Sequence, residues 1–190
     1  MNRSPAIALL WLLAALDKRL DPVAAVDASS EFVVKFPDYL NGLGYKKRAY
    51  YYTTLQMPDR AILDYEKALK IDSKDANLYV GRGYAYSWKR NQQKALADYN
   101  QALQLDPKAK NAYVSRATLY ADSLNQPNLA LQDIEKAMQL DPQEPEFYKL
   151  KSKVLLQLNR KPEACECLKN GIAAGHKSLA EEYNAKCGKQ

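Results

Sequence analysis

The side chains most able to do chemistry in this 190-residue chain are three cysteines and one histidine. Cys165 and Cys167 are two residues apart on a predicted helix, so they point about 200° apart around its axis and do not converge on one metal ion. Cys187 lies far down the chain, and each cysteine is predicted to be a buried or half-buried thiol. His176 has no serine, cysteine or carboxylate pattern beside it that a general base would require, and we expect it in a loop. We therefore predict no catalytic residue, no metal site and no cofactor.

The sequence also has no phosphate-binding loop. The nearest match, Gly81-Arg82-Gly83, lies within a predicted helix, where small residues allow close packing. This further disfavours an enzyme.

The net charge of +6 is interrupted along the chain. Residues 76–109 carry five bases against two acids, whereas residues 110–144 carry three against five. Nucleic-acid binding proteins more often present a continuous basic stripe, and no such motif is present. We expect no nucleic-acid partner.

The elements that hold these side chains are repeated along the chain. Tyrosines recur at intervals of 34, 34 and 35 residues, at Tyr45, Tyr79, Tyr113 and Tyr148. Alanines recur at intervals of 34, 35 and 34 residues, at Ala61, Ala95, Ala130 and Ala164. A period of this length predicts stacked helical repeats. The extra residue lies between Tyr113 and Ala130, and the turn-like segment 124–128 can absorb it.

Each repeat is predicted to contain two helices that approach closely. Tyr79, Gly83 and Tyr86 recur at i, i+4 and i+7, which places them on one stripe of a helix. A second stripe follows on the next helix, at Ala95, Tyr99 and Ala102. Small residues let two helices cross, while the rings fill the space beside them. Most of the 14 tyrosines are therefore predicted to pack in the core, whereas Tyr50, Tyr51 and Tyr84 lie outside this register.

This pattern resembles the tetratricopeptide repeat, with an aromatic at position 4, small residues at 8, 20 and 27, tyrosine at 11, an aromatic at 24 and proline at 32. The second unit matches at all seven positions: Tyr79, Gly83, Tyr86, Ala95, Tyr99, Ala102 and Pro107. The resemblance implies an all-α fold, a right-handed α-solenoid of about four stacked helix-turn-helix repeats with a C-terminal capping helix. The repeats span residues 42–75, 76–109, 110–144 and 145–177, and the fourth is the most divergent, as is common for an end repeat.

Residues 1–41 are open to three interpretations. The apolar run Ala6–Leu16, which includes Trp11, is too short to span a bilayer but partly resembles a secretory signal. It could instead belong to a degenerate cap repeat, with these residues at repeat positions: Leu9, Leu13, Leu16, Ala25 and Phe32. A foreign fusion segment is the third possibility. The cytoplasm is the favoured location, and the alternative is an exported or membrane-associated protein if residues 1–28 act as a signal.

Residues 178–190 are predicted to form a capping helix and a tail. Leu179, Tyr183 and Cys187 lie at i, i+4 and i+8, which gives the helix one apolar face. Ser178 is a candidate N-cap, with Glu181 at the spacing of a capping box.

The resemblance also implies a concave groove, lined by the first helix of each repeat, that binds an extended peptide or a helix. The corresponding residues here are Lys46, Lys47, Tyr50, Asn77, Val80, Tyr84, Trp88, Asn111, Val114, Ser115, Thr118, Lys149, Leu150 and Lys153. Asn77 and Asn111 could bind a peptide backbone, and Tyr84 and Trp88 could supply apolar contact, between lysines that favour an acidic segment. One branch of the family clamps acidic chaperone C-termini, but only Lys46 of its five clamp positions is matched here.

We therefore predict a non-enzymatic protein-protein interaction scaffold that binds a peptide segment or a helix of a partner in this groove. The alternative is an assembly subunit that docks through its N-terminal apolar helix to a partner, to a membrane surface or to a second copy of itself. The sequence names neither the partner nor the oligomeric state, because groove residues vary freely on one repeat frame.

Overall fold

A computed structural model describes residues 21–38 and 42–188 of the chain. Every regular element in these residues is an α-helix, which confirms the predicted fold class. The helices are α1 Pro22–Lys35, α2 Leu43–Thr54, α3 Pro58–Ile71, α4 Ala76–Trp88, α5 Gln92–Leu105, α6 Lys110–Asp122, α7 Pro127–Leu140, α8 Pro145–Gln157, α9 Lys161–Ala173 and α10 Leu179–Cys187.

The chain divides into two compact units, Met1–Asp106 and Pro107–Gln190. In the first unit, α2 pairs with α3 and α4 pairs with α5, while α4 also packs on α3 and α1 packs on α2. In the second unit, α6 pairs with α7 and α8 pairs with α9, while α8 also packs on α7 and α10 packs on α9. Within the described residues, each unit therefore contains two of the predicted helix pairs and one additional helix.

Small residues bring the two helices of a pair together, as predicted. The alanines at positions 20 and 27 are all fully buried: Ala61, Ala68, Ala95, Ala102, Ala130, Ala137 and Ala164. A Cβ atom added to Gly83 would lie 2.8 Å from Cε1 of Tyr99 and 3.2 Å from the carbonyl oxygen of Ala95. The close crossing of α4 and α5 therefore requires glycine at this position.

A left-handed residue separates the two helices of every repeat. These residues have φ between 50° and 59°: Gln56, Arg90, Asn125 and Asn159. In the second repeat the next amide, of Asn91, donates to the carbonyl of Tyr86 at 2.9 Å. In the third repeat the equivalent bond joins Gln126 to Tyr120 and spans one more residue, because the extra residue is accommodated in this turn.

An arginine-aspartate pair joins the two helices of each of the first three repeats. The pairs are Arg48 with Asp64, Arg82 with Asp98, and Arg116 with Asp133. All three aspartates are buried. Arg82 uses both Nε and Nη2, at 2.9 and 2.8 Å from the two carboxylate oxygens, so the pair is a charge-assisted fork. This hydrogen bonding raises the pKa of each arginine.

The tyrosines at positions 4 and 11 flank these guanidinium groups. Each group lies between 5.6 and 5.9 Å from the centroids of two rings, one from each position. The flanking pairs are Tyr45 with Tyr52, Tyr79 with Tyr86, and Tyr113 with Tyr120. The rings are half-buried, so the prediction that they fill the core holds only in part: they cover the core on one side and an arginine on the other.

The first described helix is held by its own cap and by packing on α2. The Asp21 side chain accepts hydrogen bonds from the amides of Val23 and Ala24, which fixes the start of α1. Ala25 and Phe32 are buried, and a Cβ atom on Gly44 would lie 2.5 Å from the Phe32 ring. The leucines that a cap repeat would add, at positions 9, 13 and 16, lie outside the described residues, so the cap remains a proposal.

The last helix is attached by a disulfide bond that we did not predict. Cys165 of α9 is bonded to Cys187 of α10, with their Cα atoms 5.7 Å apart, so the prediction of free thiols at these two positions is wrong. Only Cys167 is a free thiol among the described residues. The predicted capping box is also wrong, because the Ser178 side chain makes no capping hydrogen bond and its backbone is helical.

Candidate functional site

Three large aromatic side chains are exposed on the first helices of the first unit. Tyr50 of α2 is 60% exposed, and Tyr84 and Trp88 of α4 are each 43% exposed. The rings of Tyr84 and Trp88 lie with their centroids 6.0 Å apart. We call these three residues the aromatic row.

The aromatic row is exposed because it lies away from the buried stripe of each helix. Tyr50 and Tyr84 occupy position 9 of consecutive repeats, beside the small residues Ala49 and Ala85, which are fully buried. Helices α2 and α4, which carry the row, are in contact with each other. Tyr50 is further supported by Tyr51, whose ring meets it edge-on at 5.5 Å. The row is thus a set of supported rings that face solvent.

Asn77 extends the polar part of this face. It is exposed, and its backbone amide donates to the carboxylate of Asp75 at 2.8 Å. Burial acts to raise the pKa of Asp75, but hydrogen bonds from Lys46 and Asn77 outweigh it and lower that pKa. The backbone amide of Asn77 is therefore used in capping α4, while its side chain is exposed on this face.

Three of the four lysines predicted to line the ends of the groove are ion-paired within the chain. Lys46 bonds Asp75, Lys149 bonds Glu146 at 2.6 Å, and Lys153 bonds both oxygens of Asp122 at 2.7 and 2.8 Å. The hydrogen bond with Glu146 raises the pKa of Lys149. Lys47 is half-buried and also has an interaction partner. These pairs weaken the sequence-based expectation of an acidic ligand.

The corresponding face of the second unit is polar. Asn111, Thr118 and Lys153 are exposed there, and the other predicted residues are half-buried: Val114, Ser115, Lys149 and Leu150. The Thr118 hydroxyl donates to the carbonyl of Val114 at 2.9 Å, so it is used within its own helix. Position 13, which is Trp88 in the second repeat, is Asp122 in the third. On the first helices of the described repeats, the exposed large apolar side chains therefore lie in the first unit.

The described residues contain no group of three or more histidine, cysteine or acidic side chains placed to hold a metal ion. Burial raises the pKa of the Cys167 thiol, which forms no disulfide bond. His176 lies in the loop after α9, where its ring packs 5.6 Å from that of Tyr148 and its Nε2 atom is buried without a hydrogen-bond partner. None of the helices from residue 21 to residue 188 is long and apolar enough to cross a bilayer.

The described geometry is that of a known repeat. Sequence profiles of the tetratricopeptide repeat match residues 45–75, 76–109 and 111–144. The chain belongs to the tetratricopeptide repeat family. The predicted resemblance is confirmed, and the matched residues cover the first three of the four predicted repeats.

Several solved structures are similar to this chain. The thermophilic protein TTC0263 from Thermus thermophilus is 17% identical, with a TM-score of 0.74 over 95% of both chains. MamA from Desulfovibrio magneticus RS-1 is 18% identical, with a TM-score of 0.71 over 87% of this chain and 93% of its own. At these identities the likeness concerns the fold. No curated protein matches the sequence.

A third similar structure contains a ligand. The second tetratricopeptide domain of human RPAP3, solved in complex with the HSP70 peptide SGPTIEEVD, is 27% identical with a TM-score of 0.56. It covers 61% of this chain and 96% of its own length. Repeats of this family thus form protein-interaction scaffolds, which is the general class predicted for this chain.

Proposed function

We propose that this protein is a non-enzymatic scaffold that binds a segment of a partner protein on the aromatic row. The observation that carries the proposal is the exposure of Tyr50, Tyr84 and Trp88 on neighbouring first helices. Rigid aromatic side chains supply large contact areas at a low entropic cost and are enriched at binding hot spots. Neighbouring exposed rings on one helix face form an apolar patch, which is typical of an interaction surface.

The partner segment is apolar or aromatic where it meets this row. An acidic segment would compete with Asp75 for Lys46, and the lysines of the second unit are held by Glu146 and Asp122. The peptide bound by the human RPAP3 domain supports an extended segment as the class of ligand. The acidic character of that peptide is not transferred to the partner proposed here, because four of the five clamp positions are not matched in this chain.

A photo-crosslinking experiment can recover the partner and locate its site. A photoreactive p-benzoylphenylalanine replaces Tyr84 in one variant and Leu63 in a matched control. Leu63 belongs to the same unit and is 58% exposed, but it lies on α3, a second helix. We expect a specific adduct from position 84 and none from position 63.

Titration of the recovered partner then tests the energetic role of the row. Trp88→Ala should weaken binding by about 2 kcal/mol, roughly thirtyfold, as expected for an aromatic anchor. Leu63→Ala should leave the affinity unchanged. Replacement of Lys46, Lys149 and Lys153 by alanine should mainly change the association rate, in a salt-dependent way. Equal affinity for the wild type and the Trp88 variant would contradict the proposal.

Such a result would favour the alternative, an assembly subunit that docks through residues 6–16. That segment lies outside the described residues. The titration therefore includes Trp11→Ala, which should reduce binding only if the N-terminal apolar helix makes the contact.

The disulfide bond supports the exported alternative for the location of the protein. Disulfides persist in oxidising compartments and are rare in the cytosol, where thiols are kept reduced. The bond between Cys165 and Cys187 joins the closing helix to the last repeat. Together with the signal-like segment in residues 1–28, it favours a compartment outside the cytoplasm.

A further inference from the structure

The fourth repeat lacks the arginine-aspartate pair of the other three. Lys151 stands at the arginine position and Cys167 at the aspartate position, while Leu155 replaces the second tyrosine. Lys151 bonds Glu135 of α7 at 2.9 Å instead of reaching across to α9. The Cys167 thiol donates to the carbonyl oxygen of Tyr148 at 3.7 Å. The space that holds a guanidinium elsewhere is therefore left without one.

A cavity of about 270 Å³ occupies this place, between α7, α8 and α9. Its wall is apolar where Leu131, Met138 and Leu155 line it, and Tyr148 contributes an aromatic ring. This arrangement suits the aliphatic stem of a long side chain, which packs on apolar surface while its charged head reaches a polar rim.

The rim of the cavity carries more acid than base. Three glutamates line it, together with Lys151 and Arg160. Lys151 is bonded to Glu135, and Arg160 is bonded to Glu163 at 2.7 Å, so each of these cations already has a carboxylate partner. The third glutamate, Glu166, is exposed and forms no ion pair within the described part of the chain. One carboxylate therefore remains available to a cationic ligand.

We propose that this cavity, which we call the fourth-repeat pocket, binds an arginine side chain of a partner protein. Three observations lead to the same ligand: the apolar wall, the available carboxylate of Glu166, and the arginine found at the equivalent place in the first three repeats. Arginine is preferred to lysine because a planar guanidinium can both stack on Tyr148 and bond a carboxylate with two N–H groups. An acidic ligand would meet Glu166, and a purely apolar one would leave that carboxylate unused.

This proposal is independent of the aromatic row, because the pocket lies wholly in the second unit. A partner that used both surfaces would place an apolar segment on one unit and an arginine on the other. The proposal therefore depends on the pocket alone, and Trp88→Ala should leave arginine binding to the pocket unchanged.

Methyl NMR with arginine tripeptides tests the proposal on the full chain. The sequence has three methionines, and Met138 lines the pocket, whereas Met57 belongs to the other unit and serves as an internal control. N-acetyl-Ala-Arg-Ala-amide should shift the Met138 methyl resonance in a saturable manner and leave that of Met57 unmoved. The neutral isostere, in which citrulline replaces arginine, should bind at least fivefold more weakly.

Two variants decide whether the pocket is the site. Lys151→Arg combined with Cys167→Asp should restore the internal pair of the other repeats, fill the pocket and abolish the Met138 shift. Glu166→Gln, at an exposed position where folding is not at risk, should weaken binding at least threefold. Glu181→Gln removes a carboxylate at an exposed position of α10 outside the pocket, so it is the matched control and should bind as the wild type does.

Each possible outcome of these experiments either supports the proposal or overturns it. An unmoved Met138 resonance, or equal shifts with the arginine and citrulline tripeptides, overturns the proposal. Undiminished binding by the Lys151→Arg/Cys167→Asp variant also overturns it, because the tripeptide would then bind elsewhere. If that variant does not fold, the Glu166→Gln result decides alone, and wild-type affinity in it overturns the proposal.

Discussion

The arginine-aspartate pairs should contribute strongly to stability, and Asp98→Ala measures one of them. Asp98 is the partner of Arg82, and its side chain is only 8% exposed. Its removal leaves the guanidinium between two tyrosine rings without its hydrogen-bonded counter-charge, because both of its short hydrogen bonds go to this carboxylate. Loss of one partner of a buried pair costs about 3 to 5 kcal/mol, and the partial exposure of Arg82 places the expected loss near 3 kcal/mol.

An exposed ion pair of the same unit provides the control. Asp59 bonds Lys89 and is 76% exposed, so solvent and salt screen this interaction. Asp59→Ala should cost below about 1 kcal/mol, even though Asp59 also lies in the first turn of α3 and interacts with the helix dipole. Urea denaturation followed by circular dichroism gives both free energies of unfolding.

A double replacement distinguishes loss of the pair from an unpaired charge. Arg82→Met combined with Asp98→Leu removes both charges and keeps apolar volume, so it should be less damaging than Asp98→Ala alone. Equal losses for Asp98→Ala and Asp59→Ala would refute the reasoning, since burial would then have no influence on the strength of the pair.

Three further substitutions test the packing inside the helix pairs. Tyr99→Ala should lower the free energy of unfolding by about 3 to 5 kcal/mol, because the ring is fully buried. Gly83→Leu should lower it by about 1 to 3 kcal/mol or more, because the added Cβ atom would press on the same ring. Unchanged melting curves in both variants would contradict the repeat register. Burial raises the pKa of Tyr65 from 10.0 to about 12, so its stabilising contribution is complete below pH 10 and is lost as the pH rises towards 12. Between pH 9 and 11.5 the free energy of unfolding should therefore fall less in Tyr65→Phe than in the wild type, by a difference on the order of 2 kcal/mol. Equal losses in the two proteins would contradict the raised pKa of Tyr65.

The helix pairs could be predicted because their signal is local in the sequence. Spacings of three, four and seven residues place small residues on one stripe, and the structure buries Ala95 and Ala102 on that stripe completely. The arginine-aspartate pairs were not predicted, although their residues also recur with the repeat. Arg82 and Asp98 are separated by a turn and belong to different helices, so their pairing depends on how the two helices face each other.

The candidate site was predictable in position but not in chemistry. The register placed Tyr84 and Trp88 on an exposed face, where the structure also has them. The lysines were expected to be available, but Lys46 and Lys153 are bonded to acids that lie 29 and 31 residues away. Asp75 is the last residue of the first repeat and caps α4 of the second, and Asp122 lies in the repeat before that of Lys153. Repeat periodicity alone does not say which charges meet where one repeat joins the next.

Some departures of the fourth repeat from the consensus follow from the closing helix. Position 27 is Gly171 instead of alanine, because a Cβ atom there would lie 2.3 Å from the buried side chain of Leu179. Helix α10 has nine residues, too few to be stable on its own, so it depends on this contact and on the bond between Cys165 and Cys187. A disulfide that closes a loop of 22 residues lowers the entropy of the unfolded chain, which stabilises the folded state by about 3 kcal/mol in the chain-entropy model. The residues that make the fourth repeat look degenerate in sequence are thus, in part, the residues that receive its closing helix.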